Sequence, residues 1–156
     1  MNNRELRFLV EEFNTAYCNA LDRKDLDAWV DMFTENCVYK ITSRQNFDSG
    51  LAGGLVFDDS IGMLKDRAYV LTNTQYFGPR TIMHICGNTT VCFVDDIIHS
   101  STNYIYLETL VEEETKLHLS GTYYDKFVLN DDILKLKERI VVYDSNLINS
   151  VLVYPI

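Results

Sequence analysis

The sequence predicts an α+β fold in which amino-terminal helices pack on a long, curved, mainly antiparallel sheet. Apolar residues recur at helical spacing in the first third of the chain, and from Thr81 onward the hydrophobic period changes to two. Short polar segments separate the later apolar runs, which is typical of an antiparallel meander that buries one face. The length of 156 residues fits a single domain over residues 1–156.

Three helices are predicted before the sheet. The first has an apolar stripe of Leu6, Leu9, Val10, Phe13, Tyr17, Ala20 and Leu21. A polar turn at residues 22–25 follows, and Asp25 stands where an N-cap is expected. The second helix has the stripe Leu26, Trp29, Val30 and Phe33. Asp58 or Ser60 caps a third helix, with the stripe Ile61, Leu64, Ala68 and Leu71.

Five strands are predicted. The first covers residues 37–43, and the glycine-rich segment 44–57 after it shows no period and is predicted to be a loop. Four long strands cover residues 82–95, 97–111, 116–129 and 133–143, with turns at residues 95–96, 112–115 and 130–132. In the order of their elements, helices followed by a long sheet that curls around them, the chain resembles the cone-shaped α+β barrel of the nuclear-transport-factor-like superfamily.

Charge and cysteine content exclude several classes of function. The net charge of −9 and the pI near 4.7 argue against nucleic acid and anionic membranes as partners, because both draw affinity from clustered Lys and Arg. The apolar runs are too short to span a bilayer. Cys18, Cys37, Cys86 and Cys92 form no C-x-x-C pair, and free thiols in a reducing cytoplasm are expected.

The sequence offers no motif for a metal or a nucleotide cofactor. A Rieske cluster needs two Cys and two His in paired spacing, whereas the chain has only His84-Ile-Cys86. A mononuclear iron site needs two His and a carboxylate, and the three histidines, His84, His99 and His118, are far apart in sequence. Glycine-rich nucleotide motifs are absent as well. We expect no metal and no cofactor in this chain.

Some polar residues nevertheless alternate with apolar ones and are expected to face the core. Asp125 and Glu138 are in this position on the last two strands, and His84 is on an earlier one. A buried carboxylate needs a partner, for which Arg67, Arg139 or the Tyr39 hydroxyl is available. The alternative is functional: His84, Asp125 and Tyr39 would act as base, orienting group and acid if they meet around one point.

The order of segments along the chain resembles one family from end to end. The matching segments are residues 17–22 with Asp25 and Trp29, 39–44, 58–67, the His-x-x-x-Asn segment His84-Ile-Cys-Gly-Asn88, 121–125, 137–144 and 153–156. Together they resemble the small (beta) subunits of aromatic-ring-hydroxylating dioxygenases, in the anthranilate- and benzoate-like branch, within the nuclear-transport-factor-like or SnoaL-like superfamily.

The resemblance implies a partner rather than an active site. A large (alpha) subunit would carry a Rieske [2Fe–2S] centre and a mononuclear Fe(II), and trimers of large–small pairs would assemble with contacts between small subunits. The complex would add both atoms of dioxygen to an aromatic ring with electrons from NADH. The family assigns no catalytic residue to its small subunit, so none is carried over.

Three hypotheses therefore stand. The first is a non-catalytic structural subunit with an apolar outer sheet face. The second is a stand-alone isomerase or dehydratase that uses His84, Asp125 and Tyr39 in a pocket of the cone. The third is a module that binds a small ligand in an open apolar pocket without chemistry.

Overall fold

The computed structural model of the chain describes residues 2–74, 77–130, 133–148 and 151–156. Four helices and six strands lie along these residues. Their bounds are α1 Asn3–Asp22, α2 Leu26–Val30, β1 Phe33–Ser43, α3 Arg44–Asp48, β2 Val56–Asp58, α4 Ile61–Asn73, β3 Arg80–Val94, β4 Ile97–Leu110, β5 Lys116–Asn130 and β6 Ile133–Tyr143.

The helices begin at side chains that accept hydrogen bonds from the free N–H groups of the first turn. Asn2 caps α1, and Glu5 returns a bond to the Asn2 backbone, which completes a capping box. Asp25 caps α2, as predicted, and Ser60 rather than Asp58 caps α4. The predicted caps of the second and third predicted helices, now α2 and α4, are therefore confirmed.

The sheet confirms the predicted fold class. Strands β3, β4, β5 and β6 form the antiparallel meander, β1 pairs parallel to β6, and β2 completes the order β2-β1-β6-β5-β4-β3. Between β3 and β4, Asp95 and Asp96 both have positive φ angles, of 51° and 60°, as a two-residue type I′ hairpin requires. The predicted turn before β6 falls partly on residues 131–132, which lie outside the described residues.

Two predicted boundaries are wrong. Helix α2 ends at Val30, and Phe33 belongs to β1, although its side chain is still buried. The predicted loop at residues 44–57 contains helix α3 and strand β2. Ser43 caps α3, and Phe47 of α3 stacks on Tyr124 of β5 at 4.7 Å between ring centroids. Both elements are shorter than two periods, so the hydrophobic pattern carries no signal for them.

The prediction that Glu138 faces the core is also wrong. Phe127 pairs with Leu136, but the preceding residue of β5 pairs with Glu138, so Lys137 has no partner on β5. This β-bulge shifts the alternation by one residue. Arg139 consequently points inward and is fully buried, while the Glu138 side chain is 24% exposed and forms an ion pair with Lys126 at 2.8 Å.

Arg139 lies at the centre of the core. Its guanidinium donates Nε to Asp125 Oδ1 at 2.8 Å and Nη2 to Asp125 Oδ2 at 2.9 Å, and Nη2 also donates to Asn14 Oδ1 at 2.6 Å. The rings of Tyr17 and Tyr123 lie 4.0 and 4.2 Å from the guanidinium carbon. One side chain of β6 therefore holds α1 and β5 together through charge-assisted hydrogen bonds and cation–π contacts.

Large side chains fill the space between the helices and the sheet. Helix α1 packs against β3 and β6. The aromatic side chains that are fully buried there are Tyr17, Trp29, Tyr39, Tyr104, Tyr106, Tyr123 and Phe127. Ile156 is also fully buried and packs in the same core. The interior of the cone is thus occupied by the chain's own side chains and by its last described residue.

The buried ion pair gives a prediction on stability. Arg139→Met leaves the Asp125 carboxylate buried without its counter-charge, and we expect the free energy of unfolding in urea to fall by about 3–5 kcal/mol. The double variant Asp125→Leu/Arg139→Met removes both charges and should recover most of that loss. Lys126→Ala, which breaks the partly exposed pair with Glu138, should cost less than about 1 kcal/mol. If Arg139→Met and Lys126→Ala lowered the free energy of unfolding equally, a central role for Arg139 would be contradicted.

Candidate functional site

The three residues predicted as a possible acid–base set lie on different strands and have different partners. Tyr39 is on β1, His84 on β3 and Asp125 on β5, and all three are buried. In the hydrogen bonds of the described residues, Tyr39 pairs with Ile156, His84 with Asp22, and Asp125 with Arg139. The structure therefore places them in three separate interactions rather than around one point.

Asp125 is engaged on both carboxylate oxygens. Besides its two bonds from Arg139, it accepts a hydrogen bond from Ser100 Oγ at 3.3 Å. Burial alone would lower the pKa of Arg139, but the adjacent Asp125 charge and the hydrogen bonds raise that pKa well above its usual value. Of the two arginines predicted as partners, Arg139 is confirmed, whereas Arg67 pairs with Asp58 at 2.6 Å.

Tyr39 fixes the last residue of the chain in the core. Its hydroxyl donates to Ile156 O at 3.0 Å and accepts from Ile156 N at 2.9 Å, and Tyr17 donates to the same carbonyl at 3.0 Å. Burial raises the pKa of Tyr39 well above its usual value and that of Tyr17 to about 12. Both phenols therefore stay protonated at neutral pH and act as hydrogen-bonding groups.

His84 is held by Asp22 at the end of α1. Its Nδ1 lies 2.6 Å from Asp22 Oδ1, and its backbone N–H donates to both oxygens of that carboxylate at 3.1 and 3.2 Å. An ionised carboxylate only accepts, so Nδ1 carries the proton. Nε2 is the ring nitrogen that does not contact Asp22. The His84 ring packs against the Tyr106 ring at 4.8 Å between centroids. The contact fixes the orientation of the imidazole and joins α1 to β3.

A cleft of about 480 Å³ opens to solvent beside this pair, between α1 and β3. Helix α1 lines it with Cys18 and Asp22, four residues apart, and β3 lines it with His84 and Cys86, two residues apart. The Sγ atoms of Cys18 and Cys86 lie 3.3 Å from each other. The walls of the cleft thus carry an oriented imidazole, a carboxylate and a pair of thiols.

Sequence reasoning missed Asp22 and the pairing of the two thiols. Spacings of four on a helix and two on a strand place each pair of side chains on one face. The weak signal available was therefore that Cys18 and Asp22 share a helix face and that His84 and Cys86 share a strand face. Nothing in either local pattern shows that these two faces meet, because that depends on how α1 lies on the sheet.

The donor groups of the described residues are not arranged as an iron centre. The nitrogen Nδ1 of His84 is bonded to Asp22, and the His84 and His118 rings both contact the Tyr106 ring, at 4.8 and 5.5 Å between centroids. Among the described residues, no group of three or more His, Cys, Asp or Glu side chains is arranged to hold a metal ion. None of the helices described is long and apolar enough to cross a membrane.

Comparison with known proteins assigns the family. A model of the SnoaL-like domain matches residues 5–140. The chain is 34% identical over 148 residues to subunit beta 2 of the terminal oxygenase component of terephthalate 1,2-dioxygenase from a Comamonas species, covering 94% of this chain and 96% of the relative. This chain belongs to the family of aromatic-ring-dioxygenase small (beta) subunits, which carry the SnoaL-like domain.

Further similarities of this small-subunit chain support the assignment. It is 32% identical over 150 residues to the anthranilate 1,2-dioxygenase small subunit of Burkholderia cepacia, covering 96% of this chain and 93% of the relative. The crystal structure of a dioxygenase beta subunit from Novosphingobium aromaticivorans superposes with a TM-score of 0.89 at 30% identity and covers 98% of both chains. The predicted family and fold are both confirmed.

The Tyr39–Ile156 contact gives a prediction on the carboxyl-terminal segment of the small subunit. Tyr39→Phe removes the acceptor of the buried Ile156 N–H and should lower the free energy of unfolding by about 1–3 kcal/mol. Amide hydrogen exchange at residues 151–156 should become faster in the same variant. Tyr69→Phe on the exposed face of α4 is the matched control and should change neither quantity. An unchanged urea midpoint for Tyr39→Phe would contradict the role of this hydroxyl.

Proposed function

We propose that this chain is the accessory, non-catalytic small subunit of a multicomponent dioxygenase that dihydroxylates an aromatic ring with dioxygen. The observation that carries this proposal is the end-to-end similarity to the small subunits of terephthalate and anthranilate 1,2-dioxygenases, at 34% and 32% identity. Both relatives are named after aromatic carboxylates. An aromatic carboxylic acid is therefore the substrate class that we propose for the complex.

The partner is a large subunit that carries the Rieske [2Fe–2S] centre and the mononuclear Fe(II). The name of the terephthalate relative, a beta subunit of a terminal oxygenase component, supports a partner of this kind. The interactions of the small subunit support a catalytic site in the large subunit, because Asp125 and Tyr39 are both hydrogen-bonded to other groups of the core. Electrons from NADH would reach the iron of the large subunit through a reductase.

An apolar patch on the outer sheet face supports assembly with other subunits. Met83 and Ile85 of β3, Ile105 of β4 and Leu117 of β5 are 51%, 50%, 39% and 57% exposed. Met83 lies opposite Leu107, which lies opposite Leu117, and Ile85 lies opposite Ile105, so these side chains are neighbours. We call these five residues the outer apolar patch. Contiguous exposed apolar side chains of this kind mark protein interfaces.

The position of the patch fits a surface that another chain covers. At the other end of the sheet, the outer face is covered by this chain itself, where Phe47 of α3 stacks on Tyr124 and Thr42 is buried under Gly53, to whose carbonyl it donates at 2.8 Å. At the end formed by β3, β4 and β5, the apolar residues are exposed within the part of the chain that the structure describes. We assign this end to contacts between subunits in a trimer of large–small pairs.

The same proposal gives the cellular location of the protein and its organisation as one domain. NADH is a cytoplasmic reductant, and a complex that draws electrons from it belongs in the cytoplasm. We propose that residues 1–156 act there as one domain, with the helices and the sheet sharing a single core.

Co-expression with the large subunit tests the proposed function. We expect a stable complex whose mass corresponds to paired large and small subunits and whose iron content appears only when the large subunit is present. The small subunit expressed alone should self-associate through its exposed apolar surface. A soluble monomer that binds no large subunit would contradict the proposal and would favour the stand-alone dehydratase, for which His84 at the cleft between α1 and β3 is the first residue to replace.

Substitution in the outer apolar patch tests the assigned interface. Ile85→Glu places a charge in the patch, on the edge strand β3, and we expect it to lower the yield of assembled complex at least tenfold in size-exclusion chromatography while the isolated chain keeps its fold by circular dichroism. Phe8→Glu introduces the same charge at another exposed apolar residue, on α1, and should leave assembly unchanged. Normal assembly of Ile85→Glu would show that the subunits meet elsewhere.

A further inference from the structure

Two thiols face each other where α1 crosses β3. Cys18 and Cys86 are 68 residues apart in sequence, yet their Sγ atoms lie 3.3 Å apart and share a hydrogen bond. One helical turn further along, the 2.6 Å contact between Asp22 and His84 joins the same two elements. The helix and the strand are therefore held at a fixed distance beside the thiols, so the sulfur–sulfur contact is a built feature of the core edge.

We propose that Cys18 and Cys86 are a reversible modification site, which hydrogen peroxide converts into an intramolecular disulfide between α1 and β3. A disulfide has a sulfur–sulfur bond of about 2 Å, so the two atoms need to approach by only about 1 Å. Cys86 is partly exposed, and both residues line the solvent-open cleft of about 480 Å³. A molecule as small as peroxide has room to reach the sulfur of Cys86.

The chemistry balances with peroxide as the only oxidant. The Cys86 thiolate attacks one peroxide oxygen, and Cys86 becomes a sulfenic acid while hydroxide leaves. The hydroxide takes up the proton that the Cys86 thiol released and becomes water. The Cys18 sulfur then attacks the Cys86 sulfur, forms the disulfide and displaces hydroxide, which leaves as water with the Cys18 proton. Two thiols lose two electrons in total, and one peroxide is reduced to two waters.

The electrostatics assign the first step to Cys86. The hydrogen bond from Cys18 lowers the pKa of Cys86, whereas the same bond and burial raise the pKa of Cys18. The thiolate is the form that reacts with peroxide. Cys86 is also the more accessible of the two sulfurs, so accessibility and charge favour the same attacking atom.

The other two cysteines provide internal comparisons. Cys37 is fully buried in β1, and burial raises the pKa of its thiol. Cys92 is exposed near the end of β3. Cys37 is therefore shielded from oxidants, whereas Cys92 is open to them, and neither forms the sulfur–sulfur contact that is described for Cys18 with Cys86.

The pair would connect the fold to the redox state of its surroundings. The closed loop between Cys18 and Cys86 is long, so a cross-link removes much conformational freedom from the unfolded chain and stabilises the fold. Peroxide is the two-electron reduction product of dioxygen, so a complex that reduces dioxygen without transferring it to the ring would release peroxide beside this pair. That biological motive rests on the proposed function, whereas the chemistry of the thiol pair does not.

Peroxide treatment of the purified full-length chain tests the inference. After treatment, remaining thiols are blocked with a maleimide, and the protein is digested without reductant and mapped by mass spectrometry. We expect a peptide that links Cys18 to Cys86, a loss of two hydrogens, and full reversal by dithiothreitol. The melting temperature of the oxidised chain should rise by several degrees above that of the reduced chain.

Two variants separate the pair from general oxidation. Cys92→Ser should retain the cross-link and the rise in melting temperature. Cys18→Ser should lose both, and its Cys86 sulfenic acid should be trapped by dimedone because no second thiol remains to attack it. The inference is overturned if wild-type chain retains free Cys18 and Cys86 under conditions that oxidise Cys92. That result needs no variant and is independent of whether the large subunit binds.

Discussion

The buried guanidinium of Arg139 is the interaction on which the arrangement of this small subunit depends. It donates two hydrogen bonds to Asp125 and a third to Asn14 of α1, and it packs against the rings of Tyr17 and Tyr123. A charge without solvent is costly unless every neighbour compensates for it. The position of α1 on the sheet is therefore tied to one side chain of β6, which the bulge at Lys137 turns inward.

This compensation has a consequence for function. The Asp125 carboxylate and the Tyr39 phenol, which were predicted to act in a catalytic pocket, form hydrogen bonds that stabilise the core. Tyr39 and Tyr17 bind the last residue, Ile156, and Asp125 binds Arg139. Two features that are open to other molecules lie on the surface: the outer apolar patch on the sheet and the cleft between α1 and β3. An accessory subunit needs these features more than it needs an interior site.

Sequence patterns predicted most elements because their causes are local. The caps Asp25 and Ser60 satisfy amides of the adjacent turn, and the long strands alternate over many residues. The predictions failed where the cause was not local. Helix α3 depends on Phe47 meeting Tyr124, and the orientation of Glu138 depends on a register shift against β5. Neither leaves a mark in the periodicity of its own segment.

The sequence by itself determined the α+β class, the order of the long elements, the negative net charge and the inward orientation of His84 and Asp125. Only the tertiary structure decided the partners of these side chains: Asp22 for His84, and Arg139 for Asp125. Local spacing determines which face of a helix or strand a residue occupies, whereas the identity of its partner on another element depends on how whole elements pack. Packing and strand register arise from contacts across the entire chain, so they become visible only when the fold is complete.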